Sequence, residues 1–190
     1  GNSYPENNDT FINGTYYPLS YIYWLESAGV EVMAIHYCYS LETIDIILNK
    51  INGVLFLGGS RDIHKDGVWE KKAKYIIDQS LIIQFPIWGT CQGFQLIGLL
   101  MSNSLTLRNG FDDSNILHGL KHTDETKSSR MYKFFTEKDY NILQYRNSTI
   151  YSHRYGFYPE EFYNDSKITS YFKVTSISED KNGLQFINSF

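Results

Sequence analysis

The run Val54-Leu55-Phe56-Leu57 is apolar at every position and stops at Gly58-Gly59. A strand with one wet face alternates polar and apolar residues, because successive side chains point to opposite faces. A run without alternation predicts a strand covered on both faces, the usual condition of a parallel strand. Parallel neighbours need a long crossover, most often a helix. The flanking sequence supplies such crossovers. Tyr17, Tyr21, Trp24, Leu25 and Ala28 fall at helical spacing, with Pro18 in the first turn and Gly29 at the end. Val30 to Ile35 reads as a strand and Leu41 to Asn49 as a helix. Trp69 to Gln84 reads as a helix with Ala73, Ile76, Ile77 and Leu81 on its apolar side. Gln84 to Trp88 reads as a short strand and Gln92 to Met101 as a helix. Residues 16–101 thus alternate helix and strand. The expected class is α/β, a three-layer sandwich with a mostly parallel central sheet.

The pattern weakens after residue 101. Leu105 to Leu107 reads as a strand, residues 108–127 as a polar loop, and Ser128 to Tyr145 as one or two short helices. Ile150 to Arg154 reads as a strand end. Tyr171 to Ser178 and Leu184 to Ile187 read as two strands joined by a turn at Asp180-Lys181-Asn182-Gly183, where Asn-Gly is a hairpin signal. The 190 residues fit a single domain with a sizeable core, and 42% hydrophobic content argues against disorder.

Composition narrows the function. A net charge of -4 without a basic block argues against nucleic acid as a main partner. No run of about 18 apolar residues predicts a membrane span. Gly1 to Asn8 is not a signal peptide, and a signal already removed would leave the same start. Two cysteines, Cys38 and Cys91, allow at most one disulfide, which is not the pattern of a stapled secreted scaffold. Four N-x-[ST] sequons, at Asn8, Asn13, Asn147 and Asn164, permit N-glycosylation on a secretory or lysosomal route without establishing it.

Chemistry concentrates at Pro86-Ile87-Trp88-Gly89-Thr90-Cys91-Gln92-Gly93-Phe94, where an apolar strand meets a helix across Gly-x-Cys-x-Gly. Glycines on both sides allow a cramped turn and close helix–sheet packing. This is the logic of the Gly-x-Ser-x-Gly elbow with sulfur in place of oxygen. A cysteine opening a helix lies near unpaired N–H groups and the positive end of the dipole, which attract negative charge on sulfur. The Gln92 N–H and an N–H of the Gly58-Gly59 turn are candidate oxyanion donors. The alternative is a buried core cysteine beside a loop glycine.

Three stretches make the likeness specific. Tyr23 to Val30, Ile51 to Gly59 and Phe85 to Phe94 together resemble gamma-glutamyl hydrolase, the folate polyglutamate hydrolase (peptidase family C26) of the class I glutamine amidotransferase-like fold. Ser129-Arg130-Met131 with Phe134-Phe135, Tyr151 to Phe157, and the region from Val174 to Ile187 extend the likeness over most of the chain. The resemblance implies cysteine-dependent hydrolysis of gamma-glutamyl bonds in folylpoly-gamma-glutamates, with Cys91 as nucleophile and no metal or organic cofactor. It implies Gly59 and Gln92 as oxyanion-hole donors and His153 in substrate handling. A gamma-glutamyl peptide or folate polyglutamate is the implied substrate. A homodimer or larger assembly, and a lysosomal, vacuolar or extracellular location, are compatible with it.

The family's main catalytic histidine lies in a Trp-His-Pro-Glu segment after the region matching Leu184 to Ile187, and this chain ends at Phe190. The family's first strand is also expected to be missing. The expectation is therefore one domain incomplete at both ends, with slow or no turnover alone. Two other readings stay open: an inactive homologue acting as a structural or interaction subunit, and the glutaminase component of an amidotransferase.

Other residues carry weaker signals. Arg61 after the Gly-Gly turn is a candidate for a substrate carboxylate, against an ordinary surface arginine. His118 and His122, near Asp124 and Glu125, could share a face if helical, but the loop reading is preferred to a metal site. His36, His64 and Glu26 could approach the cleft. Tyr151 and Tyr155 could line it for an aryl group, and Cys38 reads as packing near a strand end.

Overall fold

The computed structural model describes residues 2–3, 15–64 and 66–190. They fall into two compact units, Gly1–Leu100 and Met101–Phe190.

In the first unit, β1 (Asn2–Ser3) pairs antiparallel with β2 (Thr15–Tyr16). Helix α1 (Leu19–Ser27) buries none of its residues. Gly29, at φ 79, ends it as expected, its N–H donating to Glu26 O at 2.9 Å. Val30 to Ile35, expected as a strand, has no regular secondary structure, and Val30, Val32 and Met33 are exposed. Apolar β-branched residues favour extended backbone, but a strand exists only where a neighbour completes its ladder. No described strand pairs with this segment.

Helix α2 (Leu41–Leu48) begins where the Ser40 hydroxyl accepts from the Thr43 N–H at 3.2 Å. Next come β3 (Val54–Phe56), α3 (Val68–Ile83), β4 (Ile87–Gly89) and α4 (Gln92–Met101). β3 and β4 pair in parallel through the α3 crossover, the βαβ unit that the unalternated apolar run predicts. Ile44 and Leu48 of α2 and Ile76 of α3 form a buried cluster against Val54 and Phe56. Each fully buried aliphatic contributes about 1.5–3 kcal/mol.

The second unit is organised by antiparallel pairs. Its elements are β5 (Arg108–His118), β6 (Lys121–His122), α5 (Glu137–Tyr145), β7 (Thr149–Gly156), α6 (Pro159–Asn164), α7 (Ser166–Tyr171), β8 (Ser176–Glu179) and β9 (Gln185–Ser189). β5 pairs with β7, and β6, β8 and β9 form a three-stranded sheet. The expected loop over 108–127 therefore contains β5 and β6. β5 is polar and irregular in register, so no alternation announces it, and its ladder comes from β7 far along the chain. Leu105 to Leu107, expected as a strand, lies outside it, with Leu105 buried. The hairpin turn is as expected. Gly183 takes φ 79, and the Asp180 carboxylate accepts from the N–H groups of Asn182 at 2.9 Å, Leu184 at 2.8 Å and Asp112 at 2.9 Å.

Phe111, Leu120, Tyr151 and Phe186 form a buried cluster in this unit. Asp165, only 2% exposed, joins α6 to α7. Its Oδ1 accepts from the N–H groups of Lys167 and Ile168, both at 3.1 Å. Its Oδ2 accepts from Asn103 N–H at 2.8 Å and from Ser104 N–H and Oγ at 2.6 and 2.9 Å. Burial opposes ionisation, but these bonds outweigh it and hold the carboxyl at about 2.

From α2 to α4 helices alternate with strands, as an α/β chain requires, but the expected mostly parallel sheet is not what the described strands form. β3–β4 is the parallel pairing among the described strands, and the other described pairs are antiparallel. Among the described residues no helix is long and apolar enough to cross a membrane.

Candidate functional site

β4 ends at Gly89, and the Thr90 N–H still donates to Phe56 O of β3 at 3.0 Å. The next residue, Cys91, takes φ 54, and α4 starts immediately after it. The chain thus changes from strand to helix across two residues, Thr90 and Cys91, the second in left-handed backbone, a conformation costing about 1 kcal/mol or more for a non-glycine residue. The thiol is exposed on this turn. Gln92, as first helical residue, has no intrahelical acceptor for its N–H, and the positive end of the helix dipole lies beside the sulfur.

The glycines around Cys91 permit close approach. A Cβ on Gly93 would lie 2.1 Å from Phe56 O, and one on Gly89 would lie 2.7 Å from the Phe94 nitrogen. No side chain fits either place. Helix α4 therefore rests directly on β3, which puts its first turn level with the loop that follows β3.

That loop, Gly58 to His64, is fastened at three points. The Gly58 N–H donates to the Tyr21 hydroxyl at 3.1 Å, and a Cβ there would stand 3.2 Å from Cys91 Cβ. The Gln92 side chain, in a residue 6% exposed, grips the Arg61 main chain from both ends. Its Oε1 accepts from the Arg61 N–H at 3.3 Å, and its Nε2 donates to Arg61 O. Glu70, 1% exposed in the first turn of α3, accepts from the His64 N–H at 2.7 Å. With the Gly58 N–H engaged by Tyr21, the Gly59 N–H is the remaining glycine donor of the pair.

Arg61 is exposed, with its guanidinium carbon 5.6 Å from the Tyr37 ring centroid and 5.9 Å from that of Trp69. His36 stacks on Tyr37 at 5.1 Å. Cys38 is exposed, and its Sγ lies 2.8 Å from His36 Nδ1. Trp88 donates from Nε1 to Thr90 Oγ1 at 3.1 Å.

The first unit therefore brings together Cys91, Gln92, the Gly58-Gly59 turn and Arg61. Reasoning from sequence missed Tyr21, Glu70 and the Gln92 side chain as fasteners of the loop. Their partners lie 37, 6 and 31 residues away, and no local spacing marks them. His64 and Glu26 are exposed.

His153 lies on β7 of the second unit, half-buried, its ring 4.7 Å from Phe186 and 6.1 Å from Phe111 and Tyr151. Tyr151 is buried, with its hydroxyl 2.8 Å from Ser178 Oγ, so its ring serves the core of that unit; Tyr155 is exposed. His118 and His122 fall on strands, not on one helical face. His122 lies edge-on to Tyr132 and Tyr140 beside a cavity of about 280 Å³, and burial lowers its pKa. Among the described residues no three His, Cys, Asp or Glu side chains gather as metal ligands. Asn147 and Asn164 are exposed, while Asn8 and Asn13 lie outside the described residues.

Residues 15–187 match the family described as glutamine amidotransferase class-I. The chain is 29% identical over 190 residues to gamma-glutamyl hydrolase B of Dictyostelium discoideum, covering 97% of this chain and 55% of that protein. It is 30% identical to the gamma-glutamyl hydrolase of Rattus norvegicus, over 96% of this chain and 58% of the relative. It is 31% identical to that of Homo sapiens, over 93% of this chain and 56% of the relative. The chain thus spans little more than half the length of these relatives. A family match over this much of the chain, on a βαβ unit with the thiol at its strand–helix turn, identifies it: the chain belongs to the class-I glutamine amidotransferase family.

Proposed function

We propose that Cys91 is the nucleophile of a gamma-glutamyl hydrolase that cuts gamma-glutamyl bonds in folylpoly-gamma-glutamates. The observation that carries this is Cys91 at φ 54, exposed between β4 and α4, in a chain similar to proteins named gamma-glutamyl hydrolase. The sulfur attacks the gamma-carbonyl carbon, and the N–H groups of Gly59 and Gln92 receive the oxyanion. The intermediate collapses, the C–N bond breaks, and the amine leaves with a proton supplied by a general acid. Water then hydrolyses the thioester, releasing the gamma-carboxylate and restoring the thiol. Arg61 and His153 are assigned to substrate contacts. The family match runs across both units, which supports reading residues 1–190 as one domain of a three-layer, mostly parallel fold.

The test is glutamate release from a folyl-poly-gamma-glutamate by the chain and by Cys91→Ala. All release is expected to depend on Cys91, and release persisting in Cys91→Ala overturns the assignment. Ammonia released from glutamine in place of glutamate would assign a glutaminase. A chain that releases neither, and whose Cys91 ignores a glutamate-like electrophile, would be an interaction subunit.

A further inference from the structure

We propose that Arg61 reads a carboxylate on the molecule approaching Cys91, and that Tyr37, Trp69 and Gln92 hold it in place to do so. The inference rests on Cys91 as nucleophile and names the group recognised: the alpha-carboxylate of the gamma-glutamyl unit. The loop carrying Arg61 lies against the Cys91 turn at two points. Gly58 stands against Cys91 Cβ, and the Arg61 main chain is bonded by the side chain of Gln92, the next residue after the thiol. Rotating the Arg61 peptide groups away breaks both hydrogen bonds to the Gln92 amide, and Gln92 is too deeply buried for water to replace them freely.

The guanidinium is oriented without being neutralised. Tyr37 and Trp69 each offer a ring to it, and His36 stacks on Tyr37. Among the described residues no Asp or Glu forms an ion pair with it. Arg108, by contrast, is paired with Glu161. A planar cation held by π-systems keeps its N–H fork for an incoming carboxylate, which it can grip in bidentate fashion. Lysine supplies the charge but neither the fork nor the planar stack.

Alkylation tests this apart from turnover. In a Cys38→Ser background Cys91 is the remaining thiol, since the chain has two cysteines. Its sulfur displaces iodide from iodoacetate or iodoacetamide; the S–C bond forms, the C–I bond breaks, and the electron pair leaves with iodide. The two reagents differ in the carboxylate. The iodoacetate-to-iodoacetamide rate ratio at Cys91, followed by mass spectrometry, is expected to fall about tenfold in Arg61→Gln, the loss of one charged hydrogen-bonding partner. Arg61→Lys should keep part of the preference, and Trp69→Leu and Gln92→Leu should each lower it with Arg61 intact. Added salt should lower it in the parent, which needs no variant to fold. An unchanged ratio in Arg61→Gln overturns the proposal, as does failure of both reagents to modify Cys91. An unchanged ratio in Trp69→Leu and Gln92→Leu overturns the positioning roles. An Arg61-dependent ratio in a chain that releases no glutamate and whose Cys91 ignores a glutamate-like electrophile would sink the hydrolase reading alone. Glutamate release with an Arg61-independent ratio would sink this one alone.

Discussion

At the start of α4 the chain leaves Cys91 exposed in left-handed backbone, whereas at the start of α7 it buries Asp165 under five hydrogen bonds. Both places face the same problem, because the first N–H groups of a helix lack intrahelical partners. At α7 a carboxylate takes two of them and gathers three more donors from residues 103–104. At α4 the preceding residue offers sulfur, a weak acceptor, and the polar side chain beside it, Gln92, is turned to the Arg61 main chain. A helix start filled by its own anion contributes stability. One that presents a thiol and spends its neighbouring amide on a loop suits an incoming oxyanion, at the cost of strain.

The largest effect that could break this contrast is Gly93→Ala. The new methyl meets Phe56 O, an atom that already accepts from Thr90, and neither backbone can yield cheaply. The expected cost is about 3 kcal/mol, read by urea denaturation. Hydrogen exchange should quicken at 54–56 and 87–90 and hold at 176–189. Equal acceleration in both places would mean that the Cys91 turn is not a local construction.

Asp165→Asn probes the other side. The amide keeps one oxygen and turns an NH2 towards N–H donors, for a loss of about 2 kcal/mol at neutral pH. The folded carboxyl lies at about 2 against 3.8 unfolded. Its contribution, on the order of 2 kcal/mol, is therefore complete above 3.8 and lost as pH falls through about 2. Denaturation of the parent and Asp165→Asn at pH 7 and pH 2 should converge at the lower pH. A constant gap between them would contradict the ionised cap.

The smallest effect belongs to His122. Burial lowers its pKa from 6.5, and Lys127 acts in the same direction. His122 is half-buried with both ring nitrogens shielded from water, so its imidazole resists protonation and the unfolded chain binds the proton more readily. Stability of the second unit is then full above about 6.5 and declines as pH falls from there towards the folded value. His122→Phe should flatten the change in urea midpoint between pH 7.5 and pH 5.5. An equal slope in the variant would assign the acid sensitivity elsewhere.

Much of the first unit is legible in the order of residues. Unalternated Val54 to Leu57 predicts the parallel strand, though its residues are half-buried and not covered on both faces; Ile44, Ile76 and their neighbours recur at helical spacing, and Gly89, Cys91 and Gly93 mark the turn. Each of these signals is local, set by backbone sterics and side-chain period over a few residues. Val30 to Ile35 shows the limit of that reasoning, since extended propensity does not make a strand without a partner. β5 shows the converse, a polar segment made into a strand by β7. The oxyanion candidates and the thiol could be named from the motif and the family likeness. The Gln92 grip on Arg61, the Tyr21 contact with Gly58 and the aromatic faces under the guanidinium could not. They join residues 31, 37 and up to 24 positions apart. Such contacts have no period to read, because folding of the chain, not its local spacing, brings their partners within hydrogen-bond reach.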